Sequence, residues 1–339
     1  MVKMSITIFS LLSILILSPV AEARTFKIAT IAPDGTTWMK KIREGANLIK
    51  EKTQGRVKFK FYTGGVMGSD KSMLKKMRIG QLHGGAFTGG GLAELYPDIQ
   101  IYSLPFIFQT MDEVDYVRNK MDNMISAGLL NKGIKVLGIS EGGFAYFMSR
   151  TPVRRVEELS TLKNWLPEGD SISQTIYETV GISPVQLPLS DVYTGLQTGL
   201  IDTIGSNTTG AIAFQWHTKV KYVTDIPLVF LVGAFVLDEK AFNKINAEDK
   251  KIVTDTMAKV FKELDAINRE DNANAREALK KQGIEFLSLT KEEEIRWGKL
   301  ADKTIQSMKQ KGLYTEKMYN VLTSMLQEYR QKNKLNNAK

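Results

Sequence analysis

The sequence predicts an α/β protein of two lobes, with a cleft between them and one long helix bracing both. Three observations carry this. The chain has 339 residues, more than one ordinary hydrophobic core supports. After residue 24, strand and helix patterns alternate almost without a break, which points to parallel sheets covered by helices and built twice. Residues 247–281 read as helix throughout, with neither Pro nor Gly before Gly283. At 1.5 Å per residue such a helix is on the order of 50 Å long, longer than one small domain is wide.

The chain opens with a basic start at Lys3, an apolar run over 6–17, then Pro19 and the small-residue ending Ala21-Glu22-Ala23. This is the layout of a secretory signal peptide cleaved after about Ala23. The run is too short for the roughly 20 residues of a spanning helix. The mature chain is therefore expected to be exported, and a periplasm suits a chain without cysteine. A buried strand follows over 25–32, then a helix over 36–53 with Trp38, Ile42, Ala46 and Ile49 at helical spacing. Val57, Phe59 and Phe61 alternate with Lys58 and Lys60 as a half-buried strand. Next come a helix over 70–82, a strand over 84–88, a helix over 111–131 with Thr110 and Glu113 at capping-box spacing, and a strand over 134–139.

The later part repeats the theme: helix 171–180, strand 184–187, helix 190–200, strand 203–206 and helix 210–220. Beyond the long helix lie a short strand over 284–287, a helix over 291–311 opened by Thr290 and Glu293, and a helix over 315–334. The expected division is a signal peptide over 1–23 and a first lobe over 24–147 joined by about 235–270. The second lobe takes 148–234 and about 271–310, and a C-terminal helix and tail take 311–339.

Composition removes several function classes. With no cysteine there is no disulfide framework, thiolate metal site or cysteine nucleophile, and with only His83 and His217 no imidazole-rich metal site. The formal charge of +9 comes from Lys scattered among Asp and Glu, a generally basic surface without a nucleic-acid stripe. Gly138-Ile139-Ser140-Glu141-Gly142 matches the G-x-S-x-G elbow of serine hydrolases, and Asp191 or Asp202 followed by His217 keeps the chain order. The elbow needs a helix directly after it, whereas residues 142–147 read as a turn and more strand. The glycine clusters at 64–65, 84–85 and 89–91 fit neither a P-loop nor a dinucleotide fingerprint. No metal or cofactor is expected. A two-lobed exported protein without catalytic residues reads as a solute-binding protein that closes on its ligand by hinge motion.

Several segments sharpen that reading: Phe26-Lys27-Ile28-Ala29-Thr30, Gly64-Gly65-Val66-Met67-Gly68, Leu104-Pro105-Phe106-Ile107-Phe108, and above all the run over 185–202, which contains Ser190-Asp191-Val192-Tyr193 and ends in Asp202. In this order they resemble the substrate-binding (DctP-type) component of tripartite ATP-independent periplasmic (TRAP) transporters, over roughly 25–290. The resemblance implies a periplasmic binding protein fold, a small organic ligand and delivery to membrane permease subunits. An extracytoplasmic ligand sensor is the alternative, and an exported serine hydrolase a further one.

The resemblance also implies an arginine that pairs with a substrate carboxylate, and here the sequence departs: the position reads Trp165, and the Glu and Asn of a second segment read Gly205 and Ser206. An uncharged or amphipathic ligand, or an aromatic one stacked on Trp165, is expected in place of a carboxylate held by arginine. A Trp on a strand otherwise reads as core. Glu168 joins the expected site, with Asp170 as a helix cap. Phe87 and Thr88 end a strand where open α/β sheets bind ligands. Ser206 and Asn207 precede a helix start, and Asp34 sits in the first strand-to-helix loop. Trp38, Tyr193 and Trp216 are each either cleft wall or packing.

Overall fold

A computed structural model describes residues 23–337, and all but Ala23 of the expected signal peptide lies outside them. The first stretch folds as β1 (Arg24–Thr30), α1 (Thr37–Lys52), β2 (Val57–Tyr62), α2 (Asp70–Arg78), β3 (Gly84–Thr88), a short α3 (Gly89–Ala93), α4 (Met111–Leu130) and β4 (Ile134–Ser149). The second gives β5 (Trp165–Pro167), α5 (Ser171–Thr179), β6 (Val185–Leu187), α6 (Val192–Thr198), β7 (Thr203–Ser206), α7 (Thr208–Ala213) and β8 (Tyr222–Asp238). The chain ends in α8 (Glu239–Asn243), α9 (Ala247–Lys281), β9 (Glu285–Leu287), α10 (Lys291–Gln310) and α11 (Glu316–Asn337). Among the described residues no helix is long and apolar enough to cross a membrane.

In place of the expected pair of large parallel sheets stand one mixed sheet of seven strands, ordered β2-β1-β3-β8-β4-β7 with β9 added beside β8, and a small parallel pair of β5 with β6. Its length comes from β4 and β8, of 16 and 17 residues, which run antiparallel to each other along almost their whole extent. At one end β8 pairs with β3 through 233–237. At the other, β8 pairs with β9 through Tyr222–Thr224 and β4 with β7 through Tyr146–Ser149. The two strands thus belong to both lobes. The sequence shows β4 in two pieces, a strand over 134–139 and more strand after a turn at 142–143, because glycines at 138, 142 and 143 interrupt its alternation. At the glycines the β4–β8 register shifts, between Val136 and Gly138 and between Glu141 and Gly143, and it shifts once more between Ala145 and Phe147. Such bulges let a long strand bend. Gly143 sits at φ 86°, open to glycine at little cost.

The core divides accordingly. On one face of the first lobe Ile28, Ile42, Ile49, Phe235, Met257 and Phe261 pack α1 and the front half of α9 against the sheet. On the other face Leu92, Tyr102, Val117, Met121 and Leu322 gather α4 and α11. Trp165, Val192, Leu196, Ile204, Trp216 and Leu279 form the second lobe's core. The rear of α9 reaches that cluster through Leu279, so the 35-residue helix spans both lobes as its length implied.

Local signals were read correctly at most helix starts. Glu293 N donates to Thr290 Oγ1 at 3.3 Å and Thr290 N donates to Glu293 Oε2 at 2.8 Å, a complete capping box. At α4 Thr110 caps Glu113 N at 3.2 Å, but the Glu113 carboxylate accepts instead from Gln109 N and from Arg330 of α11. The helix expected over 210–220 stops at Ala213, because Gln215 takes φ 59° and only one tight turn follows at Trp216–Thr218.

Candidate functional site

A cavity of about 550 Å³ lies where β4 and β8 pass from lobe to lobe. The first lobe supplies the loop after β1, with Thr30, Pro33, Thr36 and Trp38, and the end of β3, with Phe87 and Thr88. The bend in β4 supplies Ser140 to Gly142. From the far side come Asn207, Thr209 and Phe214, and α9 adds Asn268, Asp271, Asn272 and Ala275. This volume suits a small organic molecule, and aromatic walls with a few convergent polar groups are the usual make-up of a ligand site. A larger groove of about 920 Å³ runs outside, between α1 and the front of α9. Its wall alternates Lys52, Lys251 and Lys259 with Glu44, Glu248 and Glu263, and it touches neither the second lobe nor the sheet, so the interlobe cavity is the better candidate.

The polar wall is held in place by its own bonds. Asn272 Nδ2 donates to the Gly142 carbonyl at 2.9 Å, and Asn207 Nδ2 donates to the same oxygen. Asn272 Oδ1 accepts from Thr209 Oγ1 at 3.0 Å, and Asn268 Nδ2 donates to the Glu141 carbonyl at 2.8 Å and to Ser140 Oγ at 3.1 Å. Three asparagines from two elements therefore fix the bend of β4.

Behind the bend the Glu141 side chain, 1% exposed, enters a charge network. Arg269 Nε donates to it at 2.6 Å and Arg118 Nη1 at 3.1 Å. Arg118 also reaches Asp265 at 2.8 Å and Asp122 at 2.9 Å, and Arg269 reaches Asp115. The Arg269 guanidinium holds the Asp115 carboxyl below the usual carboxylate range, and its own pKa is raised by Asp115 and Glu141. These arginines are spent on α4, β4 and α9. Neither lines the interlobe cavity, and among the described residues its wall contains no Lys, Arg or His.

The lobes also meet beside the cavity. Gln100 Nε2 donates to Asp170 Oδ1 at 3.4 Å, and Ser171 Oγ donates to Gln100 Oε1 at 2.9 Å. Close by, Asp70 Oδ2 accepts from Thr88 N and Oγ1 at 3.1 and 2.7 Å, while its buried Oδ1 has no partner. Burial, opposed by the Thr88 bonds and aided by the charge of Glu168, pushes the Asp70 carboxyl up to about 6.

Of the ten residues expected at the site, Trp38, Phe87, Thr88 and Asn207 line the cavity. Trp165 does not. It lies on the β5–β6 pair, 3% exposed, edge-on to Trp216 at 5.4 Å, with Nε1 donating to the Leu187 carbonyl at 3.0 Å. A ring buried and satisfied in this way has no face left for a ligand. Trp216 is likewise core, stacked at 5.0 Å on Phe214, which is the ring that lines the cavity. Tyr193 packs on the second lobe's core beneath Lys219, and Ser206 is buried with Oγ donating to the Asn207 carbonyl. Asp34 pairs with Arg43 at 3.0 Å on the surface, and Glu168 sits in the β5–α5 turn outside the cavity wall. Asp170 caps α5 as expected, accepting from Ile172 and Ser173 N.

The sequence reading missed the α9 residues, although a signal was there. Val253, Met257, Val260, Phe261 and Leu264 form an apolar stripe that resumes at Ala275 and Leu279. In the gap the same face carries Asn268, Asp271 and Asn272, and polar residues interrupting a buried stripe mark a lined cavity. The hydrolase motif, by contrast, lies within the continuous strand β4, with no elbow. Ser140 Oγ contacts Asn268, and His217 Nδ1 lies 3.0 Å from the Ala211 carbonyl.

Two lobes joined by strands that bend at an asparagine-lined cavity define a binding protein that holds a small solute between domains. Residues 28–311 match the model for DctP, bacterial extracellular solute-binding protein, family 7, and the chain belongs to that family, the solute receptors of TRAP-type transport. It is 23% identical over 283 residues to the C4-dicarboxylate-binding periplasmic protein DctP of Rhodobacter capsulatus, covering 82% of this chain and 84% of that protein. In fold it is similar to the sugar acid binding protein DctPAm of Advenella mimigardefordensis in complex with galactonate, with TM-score 0.84, 17% identity and coverage of 91% and 99%. A TRAP periplasmic solute binding protein from Desulfovibrio salexigens with bound orotic acid gives TM-score 0.82 at 18% identity, covering 90% and 99%.

Proposed function

We propose that this chain captures a small uncharged, amphipathic or aromatic molecule between its lobes in the periplasm and hands it to the membrane permease subunits of a TRAP transporter. It acts as a receptor without catalysis, and its signal peptide is removed after about Ala23. The observation that carries the ligand class is the cavity wall: Trp38, Phe87 and Phe214 with three asparagines and, among the described residues, no Lys, Arg or His. A carboxylate ligand in a water-poor cavity needs a charge-assisted partner such as a bidentate guanidinium. Arg118 and Arg269 lie behind that wall, already paired with Glu141 and with Asp122, Asp265 and Asp115. The solved relatives named above hold galactonate and orotic acid, both acids. This chain keeps their fold and, on this reading, takes a different ligand.

Thermal-shift measurements on the mature chain with matched neutral, aromatic and acidic metabolites test the reading. A rise in Tm with neutral or aromatic compounds, lost in Trp38→Ala, is expected. A rise confined to dicarboxylates overturns it.

A further inference from the structure

The cavity wall contains two carboxylates, and they are not equivalent. Glu141 is neutralised from behind by Arg118 and Arg269. Asp271, half-buried on the cavity-lining face of α9, has no hydrogen bond or ion pair to any described residue. It is one turn from Asn268 and Ala275, which line the same cavity. With no cation in the wall among the described residues, the open charge of the cavity is negative. Trp38, Phe87 and Phe214 share the cavity with it, and a cation within about 6 Å of an aromatic face is attracted to the ring.

Resting on the receptor reading above, we propose that Asp271 is a specificity-determining residue and that the ligand carries a protonated nitrogen, an amine or related organic cation, paired with the Asp271 carboxylate and flanked by the aromatic wall. The asparagine amides then serve the ligand's polar remainder. Selection works in both directions. An organic cation gains a charge-assisted hydrogen bond, and an organic acid meets a like charge in a wall where the guanidinium behind Glu141, that of Arg269, is already paired with Glu141 and Asp115. Partial burial makes the charge count for more than a surface carboxylate, because a lower local dielectric strengthens both the attraction and the repulsion.

The test uses the mature chain, isothermal titration and three probes of one shape: 2-phenylethylamine, 2-phenylethanol and 3-phenylpropionate. The expected order of affinity is amine, then alcohol, then acid, with only the amine weakened by added salt. Asp271→Asn is expected to weaken the amine about tenfold and leave the alcohol unchanged. Asp271→Glu keeps the preference, and equal unliganded Tm across the variants shows that all are folded. Any other order, an unchanged preference in Asp271→Asn, or no binding of the amine overturns the proposal. The receptor reading is judged separately. A molecule without a basic nitrogen recovered at one per chain by native mass spectrometry overturns the charge inference and leaves the receptor intact, whereas a chain that never closes on any solute counts against the receptor itself.

Discussion

At the scale of single residues, Trp165 and Asp70 show how burial decides a role. Trp165 stands where the family resemblance puts an arginine, yet its ring is part of the second lobe's core and its N–H is satisfied by Leu187. Trp165→Ala is therefore expected to cost about 3–5 kcal/mol of stability by denaturant unfolding, with ligand affinity of the folded protein little changed. A large loss of affinity at unchanged stability would return Trp165 to the site. Asp70 gives a pH signature. Its folded-state pKa is raised to about 6, so the folded chain holds that proton more tightly than the unfolded chain does. The benefit is complete below the unfolded value near 3.8 and is lost as pH rises through about 6. Asp70→Asn should thus raise stability at pH 7–8 by on the order of 1–2 kcal/mol, a figure discounted because the residue is only half-buried, and have little effect at pH 4. Urea midpoints at the two pH values check this, and an equal effect at both would refute it.

At the scale of elements, β4 and α9 explain both what was legible and what was not. The helices showed themselves through apolar spacing and capping residues, and α9 was placed to the residue because nothing in 247–281 breaks it. Strand β4 shows in the sequence as a strand to 139 and a further strand after a turn at 142–143, since register shifts at three points, two of them at glycines, destroy the alternation by which strands are recognised. The pairing of β4 with β8 joins residues far apart in sequence, from Ser149 with Tyr222 to Ile134 with Asp238, and leaves no local mark, so one large mixed sheet looked like two parallel ones. The Arg118 and Arg269 network has the same character: its members come from α4, β4 and α9 and meet only in the fold. Arg118 is 8% exposed, so Arg118→Ala leaves the buried Glu141 and Asp122 short of a partner, and a loss of about 3–5 kcal/mol is expected in thermal or denaturant unfolding. A change below 1 kcal/mol would mean that the network is peripheral to the fold.

At the scale of the whole molecule, function rests on two lobes that share a bent pair of strands. The sequence alone sufficed for the lobed architecture and the family. It reached four cavity residues from strand ends and loop positions, and missed the α9 contribution because a single turn of polar residues on a long amphipathic helix looks like surface. The interlobe bonds of Gln100 to Asp170 and Ser171 are expected to favour closure. In Gln100→Ala, small-angle scattering of the liganded protein should show a larger radius than wild type and a weaker ligand affinity. Identical radii would remove these bonds from the closing mechanism. The central claim is that the cavity between the lobes holds the solute. Native mass spectrometry of protein purified without denaturation, with identification of whatever is released, tests it most directly. The account predicts one small organic molecule per chain, not held as a carboxylate by arginine, and lost in a Trp38→Ala, Asn272→Ala double variant that still folds. Recovery of a simple dicarboxylate, or equal retention by the double variant, would contradict it.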